Sequence, residues 1–443
     1  GKNHETIWIN CRGRVLSDPE DGSPRYLVGC INEIGAKQKA DNVSGLLGEY
    51  SLKIFYESRS PKLPQGFLLR IGIDDFKNIN ESHGNEYGDY ILRRTAQCIE
   101  ENIGPEQSLF HIVADEFAVV DFSGGSVQQA EDLFHEIKKS IYAFIEQNQY
   151  KAVYTVSGGI VKNGDVDNSF ENAMKLSEFA LSEAKERGKN NCYVFEEEEY
   201  EDYLKSRTLL RQLHHAVNNG FEGFEAYFQP LVNAANGELT GAETLLRFHS
   251  PEGGMVSPGE FIPILEESGL IIPVGRWVLR QALDACREWQ KILPEFKVNV
   301  NLSYVQVLKS RVLTDVRRIV DEFGVKPSSV CIELTESGYL EENERFDKVW
   351  NGLKEYGVLL ALDDFGTGYS NLRCLSDLKP AYIKIDRSFT LKALNREYEY
   401  RLLNHIVEMS HSLGLHVCVE GIETEGELTK AKQTEPDYIQ GFL

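Results

Sequence analysis

Leu359-Leu360-Ala361-Leu362-Asp363-Asp364-Phe365-Gly366 sets four apolar residues, two adjacent carboxylates, a phenylalanine and a glycine in direct succession. A short apolar run closed by such punctuation reads as a buried strand, so the two carboxylates stand at a strand end. Similar runs recur through the second half of the chain with helical segments between them: Tyr227-Phe228-Gln229, 242–248, 298–302, 331–334, 383–385, 416–419 and Tyr438-Ile439-Gln440. With 359–362 they make about eight strand candidates, the number that closes a (β/α)8 TIM-like barrel. In a parallel barrel the C-terminal strand ends converge on one face. Glu243, Asn301, Glu333, Asp363, Asp364, Lys384, Glu420 and Gln440 would then share one pocket.

Several carboxylates in one pocket repel and desolvate one another unless cations neutralise them. A set of oxygen donors with one Asn carbonyl, and no His or Cys at the corresponding strand ends, suits Mg²⁺ or Mn²⁺. Adjacent carboxylates such as Asp363 and Asp364 can bridge two ions, an arrangement that serves phosphodiester hydrolysis. Taken singly, each residue has a plainer reading: a strand-end acid is usually solvated or caps a helix, and Lys384 or Arg247 alone would be a surface ion-pair partner.

The rest of the chain sets the frame. Its 443 residues suit two domains better than one. The acidic stretch Glu196-Glu197-Glu198-Glu199 reads as the linker between halves. Before it, residues 41–195 alternate helix and strand patterns, with an apolar run at 67–73 and a hairpin at 110–121, an α+β order with a central sheet. The first forty residues read as two strands around a turn-rich stretch at 17–24.

A formal charge of −22 argues against DNA or RNA as a partner, since counterion displacement needs a basic face. An anionic substrate would instead need metal ions. Eight scattered cysteines without a C-x-x-C pair fit reduced thiols in the cytoplasm. No apolar run is long enough to span a bilayer, and the start at Gly1 without Met leaves room for an upstream sensor or membrane anchor in a longer parent.

The segments Glu243-Thr244-Leu245-Leu246-Arg247, Asn299-Val300-Asn301-Leu302-Ser303, Glu333-Leu334-Thr335-Glu336, Asp363-Asp364-Phe365-Gly366-Thr367-Gly368-Tyr369-Ser370, Lys384-Ile385-Asp386 and Glu420-Gly421-Ile422-Glu423 resemble, in order and spacing, the motifs of the EAL family of cyclic di-GMP phosphodiesterases. Thr244 stands where the family name has Ala, and Phe248 replaces a common Trp. The resemblance covers roughly 207–443. It implies that Glu243, Asn301, Glu333 and Asp363 hold one Mg²⁺ or Mn²⁺, and that Asp363, Asp364 and Glu420 hold a second. Lys384 would support the attacking water, Gln440 would complete the pocket, Arg247 would contact a substrate phosphate and Gln229 a guanine. Glu336 would hold the loop that follows Asp364. The implied reaction converts cyclic di-GMP to linear pGpG, in a homodimer. The alternative is a non-catalytic cyclic di-GMP receptor, which the complete carboxylate set disfavours.

Asp41-Asn42-Val43-Ser44-Gly45-Leu46, Ile73-Asp74-Asp75-Phe76-Lys77-Asn78-Ile79-Asn80, Asp115-Glu116-Phe117 and Ala184-Lys185-Glu186-Arg187-Gly188-Lys189-Asn190 resemble the GGDEF family of diguanylate cyclases. The departures fall on the chemistry. Val113 and Ala114 replace the two glycines of the signature turn, and Gly72 stands where that family has its first metal-binding Asp. A cyclase-like domain without cyclase activity is the expectation, with Asn80 and Asp89 as GTP-binding positions in a regulatory site. The plainer reading makes Asn80 a turn cap and Asp89 a helix cap. Gly104-Pro105-Glu106-Gln107 occupies the place of an Arg-x-x-Asp product-inhibition motif, so feedback there is not expected. Arg12-Gly13-Arg14 and Gly29-Cys30-Ile31-Asn32-Glu33-Ile34 resemble the end of a PAS sensor domain. The expected division is 1–40 (PAS remnant and linker), 41–198 (degenerate GGDEF) and 199–443 (EAL).

Overall fold

A computed structural model of the chain describes residues 8–17, 24–34, 40–59, 65–149, 151–163, 169–335, 344–366 and 372–442, which form parts of two compact units, Gly1–Asp202 and Tyr203–Leu443. Glu336 and the loop residues 367–371 lie outside the described residues. No helix among the described residues is long and apolar enough to cross a membrane.

The first unit opens with an antiparallel ladder of β1 (Trp8–Ser17) and β2 (Pro24–Ile34). A five-stranded sheet follows, built from β3 (Phe67–Ile73), β4 (Gln107–Val113), β5 (Glu116–Asp121), β6 (Val156–Lys162) and β7 (Cys192–Val194) in the order β4-β5-β3-β6-β7. Central β3 is antiparallel to both neighbours and buried along its whole length, which is why 67–73 is apolar almost throughout. Phe67, Leu69, Ile71 and Ile73 pack under the helices Asn85–Asn102 and Val127–Gln147, while Leu68 packs on the opposite side with Leu52 and Phe179. On that second side Gly159 lets the helix Phe170–Glu186 approach closely: a Cβ there would stand 2.4 Å from the Leu181 nitrogen.

The second unit is a closed barrel of β8 (Phe224–Asn233), β9 (Leu239–His249), β11 (Lys297–Asn301), β12 (Val330–Thr335), β13 (Leu359–Phe365), β14 (Tyr382–Ile385), β15 (His416–Ile422) and β16 (Tyr438–Gly441), with short β10 (Met255–Val256) hydrogen-bonded to β9. From β9 to β16 the barrel neighbours are parallel and helices run between them. The expectation of a parallel barrel fails at the first strand, for β8 is antiparallel to both β9 and β16. The connection explains this. Only residues 234–238 separate β8 from β9, with Asn233 Oδ1 accepting the amides of Ala235 and Asn236, whereas a parallel crossover needs about a dozen residues or more.

Strand alternation then divides the side chains. Val298, Val300, Val330, Ile332, Leu334, Leu360, Leu362, Ile383, Ile385, Val417 and Val419 join the apolar core, while the residues between them belong to the barrel interior. That interior carries Asn299, Glu333, Asp363, Lys384 and Glu420.

Candidate active site

Lys384, on the third of four residues in β14, is 2% exposed. A buried ammonium requires counter-charges. Its Nζ lies 2.8 Å from Glu243 Oε2, 2.9 Å from Glu333 Oε2, 2.8 Å from Glu420 Oε1 and 3.5 Å from Asp363 Oδ1. Each carboxylate arrives from a different strand: β9, β12, β15 and β13. Side-chain amides hold the remaining oxygens. Asn301 Nδ2 donates to Glu243 Oε1 at 2.7 Å, Gln440 Nε2 donates to Glu243 Oε2 at 2.7 Å, and Asn299 Nδ2 donates to Glu333 Oε1 at 2.7 Å.

One ammonium does not neutralise this many acids. Burial pushes Glu333 well above the ordinary carboxylate range, assisted by the neighbouring Glu243. Burial likewise raises Glu420 to about 8 against the pull of Lys384, and raises Asp363. Burial acts upward on Glu243 too, but Lys384 and the amides of Gln440 and Asn301 outweigh it and hold this carboxyl low. Lys384 itself is held well above its usual value, its burial overcome by Glu333, Glu243, Asp363 and Glu420. The arrangement attracts additional positive charge. Glu243, Glu333 and Asp363 each offer an oxygen within 4.8 Å of the others, the only such trio of candidate metal ligands among the described residues.

Asp364 follows on a distorted end of β13, where the register to β14 shifts between Leu362 and Phe365. Its φ is +57°, a conformation that side chains disfavour, and its amide donates to Asp363 Oδ1 at 3.0 Å. Burial and the adjacent Asp363 raise its carboxyl to about 6.

A cleft of about 1230 Å³ opens over the cluster, and Glu243, Asp363, Asp364, Lys384, Glu420, Gln440, Gln229 and Arg247 all line it. Glu333, fully buried, reaches the cluster through Lys384, and Asn301 through Glu243. Because β8 runs antiparallel, Gln229 sits in mid-strand opposite Glu243. It accepts from Gln440 Nε2 at 3.1 Å. Arg247, four residues beyond Glu243 on β9, carries its guanidinium 5.5 Å from the centre of the Tyr227 ring. Thr244 faces away from the cluster and is buried, so the departure from Ala leaves the acidic set intact.

Two residues of this site escaped the sequence reading. Asn299 precedes Asn301 by two positions, and that spacing alone places both on one face of β11. Arg387 also lines the cleft, its Nη2 2.6 Å from Glu423 Oε1. It opens the helix Arg387–Asn395 capped by Asp386, where no strand period extends.

The first unit is arranged differently. The turn between β4 and β5 holds Ala114 at φ +51°, and Val113 beside it is 56% exposed. Asp74 is buried and accepts from Thr155 Oγ1 (2.6 Å), Ser157 Oγ (2.7 Å) and the Asn190 amide (3.1 Å). Asp75 pairs with Lys189 at 2.9 Å, and Glu116 with Arg70 at 2.6 Å. Asn80 lies in the helix Phe76–His83, its amide pressed so close to Gly88 that a Cβ there would stand 1.9 Å from Oδ1. Asp89 is inside the helix Asn85–Asn102, whose N-cap is Gly84, so the plainer reading of Asp89 as a cap does not hold.

Residues 210–443 match the EAL domain family, and residues 51–191 match the family described as diguanylate cyclase, GGDEF domain. An uncharacterised protein of Sinorhizobium fredii, y4lL, is 32% identical over 91% of this chain and 48% of its own length. A Pseudomonas aeruginosa protein named bifunctional diguanylate cyclase/cyclic di-GMP phosphodiesterase MucR is 28% identical over 85% of this chain and 55% of its own. The chain thus spans about half the length of these curated relatives. A solved structure described as the PaMucR phosphodiesterase in complex with c-di-GMP superposes with a TM-score of 0.50 and 32% identity, covering 53% of this chain and 95% of that one.

Proposed function

The chain belongs to the EAL domain family, and from that premise we propose that its barrel is a metal-dependent phosphodiesterase that hydrolyses cyclic di-GMP to linear pGpG. The observation that carries the reading is the under-neutralised buried cluster, in which Glu243, Glu333, Asp363 and Glu420 converge on the single ammonium of Lys384. An all-oxygen donor set of this kind fits Mg²⁺ or Mn²⁺. Glu243, Asn301, Glu333 and Asp363 would hold one ion, and Asp363, Asp364 and Glu420 the other. Two such ions would acidify a water and offset charge on the scissile phosphate.

The chain's own groups do the rest. Asn301, Gln440 and Asn299 orient the carboxylates through their amides. Lys384 keeps the acids together and places a positive charge beside the attacking oxygen. Arg247, backed by Tyr227, takes a substrate phosphate, and Gln229 together with Gln440 meets a guanine edge.

The 41–198 segment acts as a regulator that binds GTP near Asn80 and Asp89 without cyclising it. Gly72, Val113 and Ala114 support this reading, since they remove a carboxylate and both turn glycines from the cyclase-like site. The enzyme works as a homodimer in the cytoplasm. A monomeric mass by light scattering at micromolar concentration would count against the dimer. The deciding experiment follows pGpG release with Mg²⁺ or Mn²⁺, with and without GTP, in the parent chain and in Glu243→Ala. Metal-dependent release lost in the variant is the expected result. Tight cyclic di-GMP binding without turnover under every condition would make the barrel a receptor instead.

A further inference from the structure

The loop that leads into the helix Glu49–Arg59 closes on itself before it meets the sheet. Asp41 N donates to the Leu46 carbonyl at 2.8 Å and Gly45 N to the Asp41 carbonyl at 2.9 Å, while Asp41 Oδ1 accepts the amides of Val43 (3.0 Å) and Ser44 (2.7 Å) and the Ser44 hydroxyl (3.0 Å). His111, 7% exposed on the edge strand β4, holds this loop twice. Its amide donates to the Leu47 carbonyl at 3.0 Å, and its ring Nδ1 lies 3.2 Å from Asp41 Oδ1 and 3.0 Å from Ser44 Oγ. On the far side of the ring Nε2 lies 2.9 Å from the Ala114 carbonyl, and Phe117 of β5 stacks on the ring face with centroids 4.9 Å apart.

A carbonyl and a carboxylate only accept, so this placement asks a proton of both ring nitrogens. The imidazolium supplies two and the neutral ring one. With the Nε2 proton committed to Ala114, a neutral ring turns a bare nitrogen towards Asp41, and the Ser44 hydroxyl has to leave Asp41 to donate to it. Burial acts upward on Asp41, but the Ser44 amide and hydroxyl, His111 and the Val43 amide outweigh it and hold this carboxyl below its ordinary range. Asp41 is thus the charged partner of the ring. From β5 the ring meets the uncharged Phe117. The next acids along the chain are Glu49 after the loop and Asp115 and Glu116 after Ala114, and Glu116 is held by Arg70 at 2.6 Å.

We propose that His111 and Asp41 form a pH-operated clasp, closed by the imidazolium and opened when Nδ1 gives its proton to solvent, that holds or releases the 41–47 loop at the edge of the sheet. Imidazole is the side chain that changes charge at physiological pH, and the clasp needs no nucleotide to work. Nε2 keeps its proton and its carbonyl throughout. Through this loop the chain reaches the cyclase-like fold, so pH sets how firmly that approach is held.

The test is hydrogen exchange of the whole chain at pH 6 and pH 8.5, read as protection factors corrected for the intrinsic rate at each pH, in the parent, His111→Arg, His111→Gln and Asp41→Asn. In the parent, protection of the 41–47 amides and of the His111 amide should fall about tenfold or more between the two, the scale of one charge-assisted hydrogen bond, while the amides of β3 keep theirs. His111→Arg carries a permanent charge and should stay protected at both values. His111→Gln should be poorly protected at both. Asp41→Asn retains an oxygen for the loop amides but no charge, so it too should lose the pH dependence, which keeps the test decisive should either ring variant fail to fold. Equal protection of the parent loop at both values, or a fall that persists undiminished in Asp41→Asn, overturns the proposal.

Discussion

Both halves of the chain gather acids at strand ends, yet they treat them in opposite ways. In the barrel four carboxylates face one ammonium, whereas in the sheet before it Asp74, Asp75 and Glu116 each have protein donors of their own. The difference teaches that a group of acids becomes an ion site by being left short of positive charge. Carboxylates that are individually satisfied add stability and specificity to a fold but exert little pull on a metal.

The sharpest way to break this comparison is Lys384→Met. Removing the common counter-charge should cost the metal-free barrel about 3–5 kcal/mol by urea denaturation in EDTA, with much of the loss recovered in Mg²⁺ or Mn²⁺. An unaltered midpoint would mean that the carboxylates are neutral and the contrast unreal. Asn299→Ala should weaken metal binding about 10- to 100-fold by titration calorimetry, because Glu333 loses the amide that orients it.

A smaller effect should appear in the pH dependence of the metal-free chain. Burial raises Glu420 to about 8 and Asp364 to about 6, above their unfolded values, so the folded barrel binds more protons than the unfolded chain across that window. Stability from these groups is present at low pH and lost as pH rises through the folded values. Thermal unfolding of the barrel in EDTA should therefore occur at a higher temperature at pH 6 than at pH 8.5, and metal should reverse the order. The smallest change is Ala114→Gly in the other half. Relief of a left-handed conformation should raise stability by about 1 kcal/mol, without any cyclic product from GTP, as denaturation and chromatography would check.

Much of this was legible in the sequence because strand ends carry both signals at once, an apolar run and the polar residue that follows it. The runs at 298–302, 331–334, 359–362, 383–385 and 416–419 fall within or overlap β11 to β15; Asn301, Glu333 and Lys384 stand inside their runs, and Asp363 and Glu420 follow theirs directly. Direction was not legible from those runs, since a period of two reads the same both ways. The antiparallel entry of β8 was encoded instead in the short connection at 234–238. Asn299 went unnoticed because an amide in a strand carries no charge signal, although its spacing from Asn301 gave its face away. Lys185 Nζ stands 3.0 Å from where a Cβ on Gly72 would be, a tertiary fact that neither local motif contains.

Gln440 deserves to be read as a fastener as much as a site residue. β16 meets β8 through only two residue pairs, Tyr438 with Asn233 and Ile439 with Val232, while β8 is zipped to β9 along nine. The barrel thus has a seam, and the Gln440 amide stitches it from inside by reaching Gln229 on one strand and Glu243 on the next. Breathing of the wall is cheapest at such a joint. Ions or substrate that tether Glu243 and Gln229 would pull the stitch tight, so amide hydrogens along β16 should exchange more slowly when the mouth is filled.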